Sequence, residues 1–367
     1  MKVAVIHYWL VNIRGGEKVL KALLELFPEA DIFTNVYNSS SMPSYISSHK
    51  VFTTKINRFP FSKKLYKLYM PFMPNALSEL NLQNYDLVIS SESGPAKGII
   101  PNPDAYHICY CHTPMRYLWD MYHEYFKKNN LFVKIFMKRL IPHLRLWDIM
   151  SSNLVDYFIA NSSYVSKRIK RYYNRDSEII YPPVEIEKYL NNERKPKDYY
   201  LFFGQITEYK RLDIAIEACI KSNRKLIVAG SGVKKSTIRQ FNKSKLIIFK
   251  GRLSDLEIIE LFKESRALLF PGIEDFGIIP VEAQSAGCPV IAFNKGGICE
   301  TVLDGITGVL FNEQSSSSLM EAMDQFELLE KEGNFNNRDL FKNHVKQFSQ
   351  DIFKDKIIKV IVNRKRN

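Results

Sequence analysis

The chain has 367 residues, enough for two or three domains at about 100–200 residues each, which excludes a small disulfide-held scaffold. Hydrophobic residues make up 46% and charged residues 25%, an ordinary globular balance that excludes disorder, collagen-like repeats and coiled coil. The net charge is +13, and residues 1–180 hold +9 of it (23 basic against 14 acidic), so an anionic partner is expected: nucleic acid, a phosphorylated small molecule or an anionic membrane face.

The first apolar run, Val3–Ile13, contains His7 and Asn12 and lacks a small-residue cleavage site, and no run reaches about 18 apolar residues. Neither a signal peptide nor a membrane span is read. Apolar, β-rich runs then alternate with helical patterns, the signature of parallel sheets wrapped by helices. In the first half the predicted strands are Val3–His7, Asp31–Val36, Asp86–Ser91, Tyr106–Cys111, Tyr157–Asn161 and Glu178–Tyr181. Cys109 and Cys111 share one face of a strand as small buried hydrophobes, and five cysteines without a Cys-x-x-Cys pair suit a reducing cytosol. Tyr181-Pro182-Pro183 and the polar run Asn191–Asp198 mark a linker at 182–198. The second-half strands are Tyr200–Gly204, Lys225–Ala229, Leu246–Lys250, Ala267–Phe270, Val290–Phe293 and Gly308–Phe311. Ser254 and Glu257 form a capping box before one helix, and Phe348–Val362 is a last helical pattern able to pack back on either domain. The expected division is an N-terminal domain 1–181, a C-terminal domain 199–347 and a terminal helix 348–367. In such folds ligands sit beyond the carboxyl ends of the strands, between the two domains.

The most informative stretch is Phe270–Ala283. A buried strand ends at Pro271-Gly272, a loop carries Glu274 and Gly277, and a helix opens near Pro280 and stops at Gly287. The amides of Phe276–Ile279 make a cradle for anions and sugar hydroxyls, with Gly277 allowing close approach. Glu274 and Glu282, eight residues apart, suit two parts of one hydroxyl-rich ligand; the bland alternative is that Glu274 and Asp275 complement the helix dipole and Glu282 is solvated. Gln205 follows the first strand of this half, and Lys210 and Arg211 open the next helix where a diphosphate would sit. Gly230-Ser231-Gly232 is no dinucleotide fingerprint, and Gly251-Arg252-Leu253 offers backbone to a base. In the first half His112 ends a buried strand, where a structural role is the alternative. Arg116 and Asp120 are spaced for a helix ion pair, and Trp119 reads as core.

Glu274-x7-Glu282 within this block, followed by Ser285–Ala292, resembles the donor site of family-4 retaining glycosyltransferases with the GT-B fold, two Rossmann-like α/β domains facing across a cleft. Gly15-Gly16-Glu17 resembles that family's glycine loop. Tyr110–Asp120, Tyr85–Ser91 and Asn161-Ser162-Ser163 resemble its bacterial polysaccharide mannosyltransferase branch. The resemblance implies that Glu274 holds the transferred sugar, with the amides of Phe276, Gly277 and Ile278, and that Glu282 holds the ribose. It further implies that Lys210 and Arg211 neutralise the departing diphosphate, that His112 lies near the sugar, and that Gly15 and Gly16 let backbone approach the phosphates. The family commonly has Arg where Gln205 stands, so Lys210 and Arg211 suffice or Arg116 contributes. No Asp-x-Asp triplet occurs, and no cofactor or metal is expected; the paired carboxylates of a retaining glycosidase are also absent. Front-face displacement is the implied chemistry.

Residues 50–145 carry 14 basic and 6 acidic side chains. Lys63, Lys64 and Lys67 lie among Phe59, Phe61, Tyr66 and Tyr69, and Lys127, Lys128, Lys134, Lys138, Arg139 and Arg145 among Phe132, Ile135 and Phe136. Such a face suits an anionic membrane, with a lipid-linked oligosaccharide acceptor at the cytoplasmic leaflet; a merely solvated basic face is the alternative. The expected function is transfer of mannose from GDP-mannose in surface polysaccharide synthesis by a cytoplasmic, peripheral enzyme. A uridine-linked donor, or an epimerase or hydrolase of the same fold, remains open. A nucleic-acid binder would need stacking platforms or a groove-reading helix, and neither is read.

Overall fold

The computed structural model describes residues 1–13, 15–127, 131–190, 193–241 and 243–364. The chain divides into two compact units, Met1–Tyr181 with Lys354–Asn367, and Pro182–Phe353.

The first unit is built on a seven-stranded parallel sheet: β1 Val3–His7, β2 Asp31–Thr34, β3 Val51–Thr53, β4 Leu87–Glu92, β5 Tyr106–Cys111, β6 Tyr157–Ala160 and β7 Glu178–Ile179, in the order β3-β2-β1-β4-β5-β6-β7. The short edge strand β3 is not among the predicted strands. None of its three residues is buried, so it lacks the apolar run that marks the others. Strands β1 and β4 are buried along their whole length, as strands covered by helices on both faces must be. Cys109 and Cys111 lie in one apolar cluster with Val155, Phe158 and Val165, and burial first of all raises the Cys111 thiol pKa. Both are unreactive packing groups. Lys354, in the helix Gln350–Arg364, pairs with Glu25 at 2.6 Å, tying the last residues to the first unit.

The second unit carries β8 Tyr200–Phe203, β9 Leu226–Ala229, β10 Ile247–Gly251, β11 Leu268–Phe270, β12 Val290–Phe293 and β13 Gly308–Phe311, all parallel, in the order β10-β9-β8-β11-β12-β13. Side chains alternate across a strand, and the core divides accordingly. Tyr200, Phe202, Leu226 and Val228 pack on one face, while Leu201, Ile227, Leu268 and Phe270 pack on the other. The capping box of Ser254 and Glu257 is present and opens the helix Asp255–Glu264. Residues read as linker belong here: Val184 bridges Ser349, and Glu187–Leu190 forms a short helix.

In both sheets the strand order reverses once, between β1 and β4 and between β8 and β11. Connections leave to opposite sides at such a point, opening a crevice beyond the carboxyl ends of the strands. Loops following β8 and β11, and those following β1 and β4, are therefore where each unit presents chemistry.

Candidate active site

In the second unit the two loops at the reversal bring together Lys210 and Glu274. Lys210 Nζ lies 3.1 Å from Glu274 Oε1, and Lys210 is only 9% exposed. Glu274 Oε1 is buried and accepts no hydrogen bond, its contact with the Lys210 ammonium being an ion pair only, so the pair retains capacity for a ligand's donors and anions. Close approach of the loops depends on Gly272, where a Cβ would stand 2.7 Å from Lys210 Cα. The Glu274 loop is pinned from beyond β12 as well, because Gly297 N–H donates to Glu274 O at 2.9 Å.

Gly277, at φ +92°, is the N-cap of the helix Ile278–Ser285, and no side chain caps that end. The amides of its first turn are directed outward, beside Glu274. The helix begins at Ile278, ahead of the predicted opening near Pro280, and Gly287 follows it at φ +78° as the expected stop. Phe276 is buried. Glu282 sits one turn in and is 7% exposed; its charge contributes, after burial, to a raised Tyr189 pKa. Gln205 and Arg252 are exposed in the loops after β8 and β10.

Arg211 is placed differently from Lys210. A short 3-10 turn, Glu208–Lys210, precedes it, and Arg211 is left-handed (φ +55°), so the helix opens at Leu212 instead of at Lys210 and Arg211. Its guanidinium grips Asp213 at 2.8 Å and reaches Gln314 at 3.3 Å, and the Asp213 hydrogen bond raises its pKa. The predicted pair of diphosphate cations is thus one cation beside Glu274 and one held by its own carboxylate.

In the first unit His112 follows β5. Its N–H donates to Glu92 O at 2.8 Å, its carbonyl accepts from Asn161 Nδ2 at 2.9 Å, and its ring Nε2 meets Ser91 Oγ at 2.9 Å. Burial first, and then the neighbouring His7 ring, lowers the His112 pKa to about 3, so the imidazole is neutral near pH 7. Gly15 and Gly16 open the helix Gly15–Leu26. A Cβ on Gly16 would lie 2.9 Å from the Tyr8 hydroxyl and 3.5 Å from His112 Nε2, so this turn lies against both side chains and a larger residue would displace the Tyr8 hydroxyl.

The loop after His112 is fastened by Arg168, a residue that no sequence motif singles out. Its guanidinium donates to Thr113 Oγ1 and Asp120 Oδ1, each at 2.5 Å. Asp120 is thereby paired with Arg168 and not with Arg116, correcting the helix ion pair expected from spacing. Arg116 Nη1 lies 3.9 Å from Met121 Sδ. Trp119 is partly buried and donates to Asp148 at 2.7 Å. Behind the loop, Lys97 is fully buried between Asp148 and Glu92.

On the basic segment Lys63, Lys64 and Lys67 are exposed. Of the aromatics expected beside them, Phe61 is 73% exposed, but Tyr66 is buried and Phe59 and Tyr69 are half-buried; the apolar surface comes instead from Leu65, Leu68 and Phe72. Lys127 is exposed, and Lys128 lies outside the described residues. Among the described residues no helix is long and apolar enough to cross a membrane, and no three His, Cys, Asp or Glu side chains converge as metal ligands.

Two family models together match most of the chain: Glycosyltransferase Family 4 over residues 13–188 and Glycosyl transferases group 1 over residues 185–348. The chain belongs to the family-4 glycosyltransferases of the GT-B fold. Among relatives of this glycosyltransferase is a 41.2 kDa protein of the cps region of Klebsiella pneumoniae, 30% identical over 61% of this chain and 62% of that protein. Another is the alpha-1,3/1,6-mannosyltransferase ALG2 of Homo sapiens, 25% identical over 52% of this chain and 55% of its own. The matched stretch is thus under two thirds of either relative. The crystal structure of Anabaena Alr3699/HepE in complex with UDP shares the fold, with a TM-score of 0.70 at 15% identity over 99% of this chain and 100% of that one.

Proposed function

We propose that this glycosyltransferase moves mannose from GDP-mannose, with retention of anomeric configuration, onto a lipid-linked oligosaccharide in surface polysaccharide synthesis. The observation that carries the reading is the Lys210–Glu274 pair, 3.1 Å apart beside an uncapped helix N-terminus at the strand-order reversal of the second sheet. A cation and outward amides suit a diphosphate whose negative charge grows as the sugar leaves, and stabilising that charge is commonly the largest catalytic contribution. Glu274 would accept hydrogen bonds from the transferred sugar and Glu282 from the ribose. Lys210 would supply the main cationic contact, with Arg211 joining only if it exchanges Asp213 for phosphate. In this reading the leaving phosphate takes the acceptor's proton, on the face from which it departs, and no metal is needed. A mannosyltransferase and a protein of a cps region among the relatives support the donor sugar and the setting. The Anabaena complex with UDP favours a second reading, the same chemistry on a uridine-linked donor.

The acceptor reading rests on the segment 61–72, where Phe61, Leu68 and Phe72 are more than half exposed beside Lys63, Lys64 and Lys67. Apolar side chains ringed by lysines bind the headgroup region of an anionic bilayer, which would hold the enzyme peripherally at the cytoplasmic face. Proton NMR of the first product formed from GDP-mannose in EDTA tests retention: an α-mannoside supports it, and a β-mannoside overturns it.

A further inference from the structure

The two ring nitrogens of His112 stand in different surroundings. Nε2 meets Ser91 Oγ at 2.9 Å, whereas Nδ1 makes no hydrogen bond among the described residues. Ser91 Oγ is also 3.1 Å from His7 Nδ1. His7 Nε2 is buried without a hydrogen bond and lies 3.5 Å from Glu17 Oε1. Glu17, His7 and Ser91 are each no more than 1% exposed. The line therefore runs from the first helix through the ends of β1 and β4, paired at His7 and Ser91, to the end of β5.

Protons can occupy this line in few ways. A carboxylate 3.5 Å from His7 Nε2 favours an N–H there, since it would repel a lone pair. With one proton on the His7 ring, held at Nε2, His7 Nδ1 is an acceptor and Ser91 gives it its only hydroxyl proton. Ser91 Oγ is left as an acceptor, and the hydrogen it receives must come from His112 Nε2. The neutral His112 ring keeps its lone pair on Nδ1.

We propose that Glu17, His7 and Ser91 are positioning residues that fix His112 in the Nε2–H tautomer, so that Nδ1 presents a hydrogen-bond acceptor to a hydroxyl of the ligand. The identity of that hydroxyl, on the transferred sugar, rests on the proposed transfer reaction; the tautomer does not. A ring free to exchange tautomers would offer a sugar hydroxyl a donor for part of the time, and the line removes that ambiguity before any ligand arrives.

The test is two-bond proton–nitrogen NMR of the full-length protein labelled with 15N-histidine, at pH 8, with His112→Gln supplying the assignment. Expected for the wild type is a protonated Nε2 and a bare Nδ1 on His112; a protonated Nδ1 overturns the proposal. Ser91→Ala should give a mixture of tautomers and Ser91→Thr, which keeps the hydroxyl, should restore one; an unchanged single tautomer in Ser91→Ala also overturns it. In turnover of GDP-mannose, Ser91→Ala should lower kcat about tenfold with KM for the donor within about twofold, and Ser91→Thr should recover it. Failure of every donor to turn over would count against the transfer reading alone, since the spectra decide the tautomer without substrate.

Discussion

Replacing Glu274 by alanine should separate catalysis from diphosphate binding. At 3.1 Å and an effective dielectric of about 20, the Lys210–Glu274 attraction is about 5 kcal/mol before desolvation, and most of that is offset by the cost of holding both charges partly out of water. A phosphate entering the site must compete with Glu274 for the ammonium. Without the carboxylate, Lys210 is released, and GDP should bind as tightly as before or up to about tenfold more tightly, a gain on the order of 1 kcal/mol. Transfer should nonetheless fall at least about a hundredfold, because the carboxylate proposed to engage the reacting sugar is gone. Lys210→Ala should weaken GDP binding and transfer together. Calorimetry with GDP and a radiolabelled mannose transfer assay read the two quantities separately. Near-normal transfer by Glu274→Ala, or GDP binding weakened as much as in Lys210→Ala, would refute the assignment of sugar to one residue and phosphate to the other.

Lys97→Met should destabilise the first unit by about 3 to 5 kcal/mol in chemical denaturation, because it leaves Asp148 and Glu92 buried without their cation; a loss under about 1 kcal/mol would mean that the cluster relaxes or admits water. Stability should also fall on mild acidification. Burial lowers His107 to about 4 and His112 to about 3, so their contribution is fully present above the ordinary value of 6.5 and is lost as pH drops toward those values. Burial pushes Glu92 up to about 7, and its contribution runs the other way, present below 4.5 and lost as pH rises through 7. His107 and His112 against Glu92 leave a net slope of about 1.4 kcal/mol per pH unit between 6.5 and 4.5, and His344, lowered by burial as well, adds in the same sense, so urea denaturation at pH 5 should show a stability at least about 1 to 2 kcal/mol below that at pH 6.5, and a higher one would contradict the burial of these imidazoles. Changing Lys63, Lys64 and Lys67 to serine should weaken binding to phosphatidylglycerol vesicles by about 1 kcal/mol per lysine in sedimentation, with GDP affinity unchanged; equal vesicle binding would leave that face merely solvated.

The sheets were legible because parallel strands buried on both faces are short apolar runs, and β1, β5, β12 and β13 fall on the residues predicted for them. The edge strand β3 was not, since three residues that stay partly exposed at the end of a sheet carry no such run. That Lys210 and Glu274 lie in the connections beyond strands, with a helix opening shortly after Glu274, could be read from residue type and position, although that helix starts at Ile278 and not near Pro280. What spacing could not give was partner choice. Lys210 and Arg211 are adjacent in sequence, yet the left-handed turn at Arg211 sends its guanidinium to Asp213. Arg116 and Asp120 are four apart, yet Asp120 is taken by Arg168, 48 residues on, because the loop after β5 leaves the helical geometry that the spacing presumes. Likewise Ser91 looked like one more strand residue. Only the pairing of β1 with β4 and of β4 with β5 sets its hydroxyl between two histidines.

Calorimetric titration of the full-length protein with GDP-mannose and with uridine-linked glucose, galactose and N-acetylglucosamine, all in EDTA, bears most directly on the central claim. GDP-mannose should bind with at least about tenfold preference, and Lys210→Ala should abolish most of that affinity. Selective binding of a uridine-linked sugar would contradict the donor assignment, and absence of any binding until a divalent metal is restored would contradict a diphosphate site built from Lys210 and backbone amides alone.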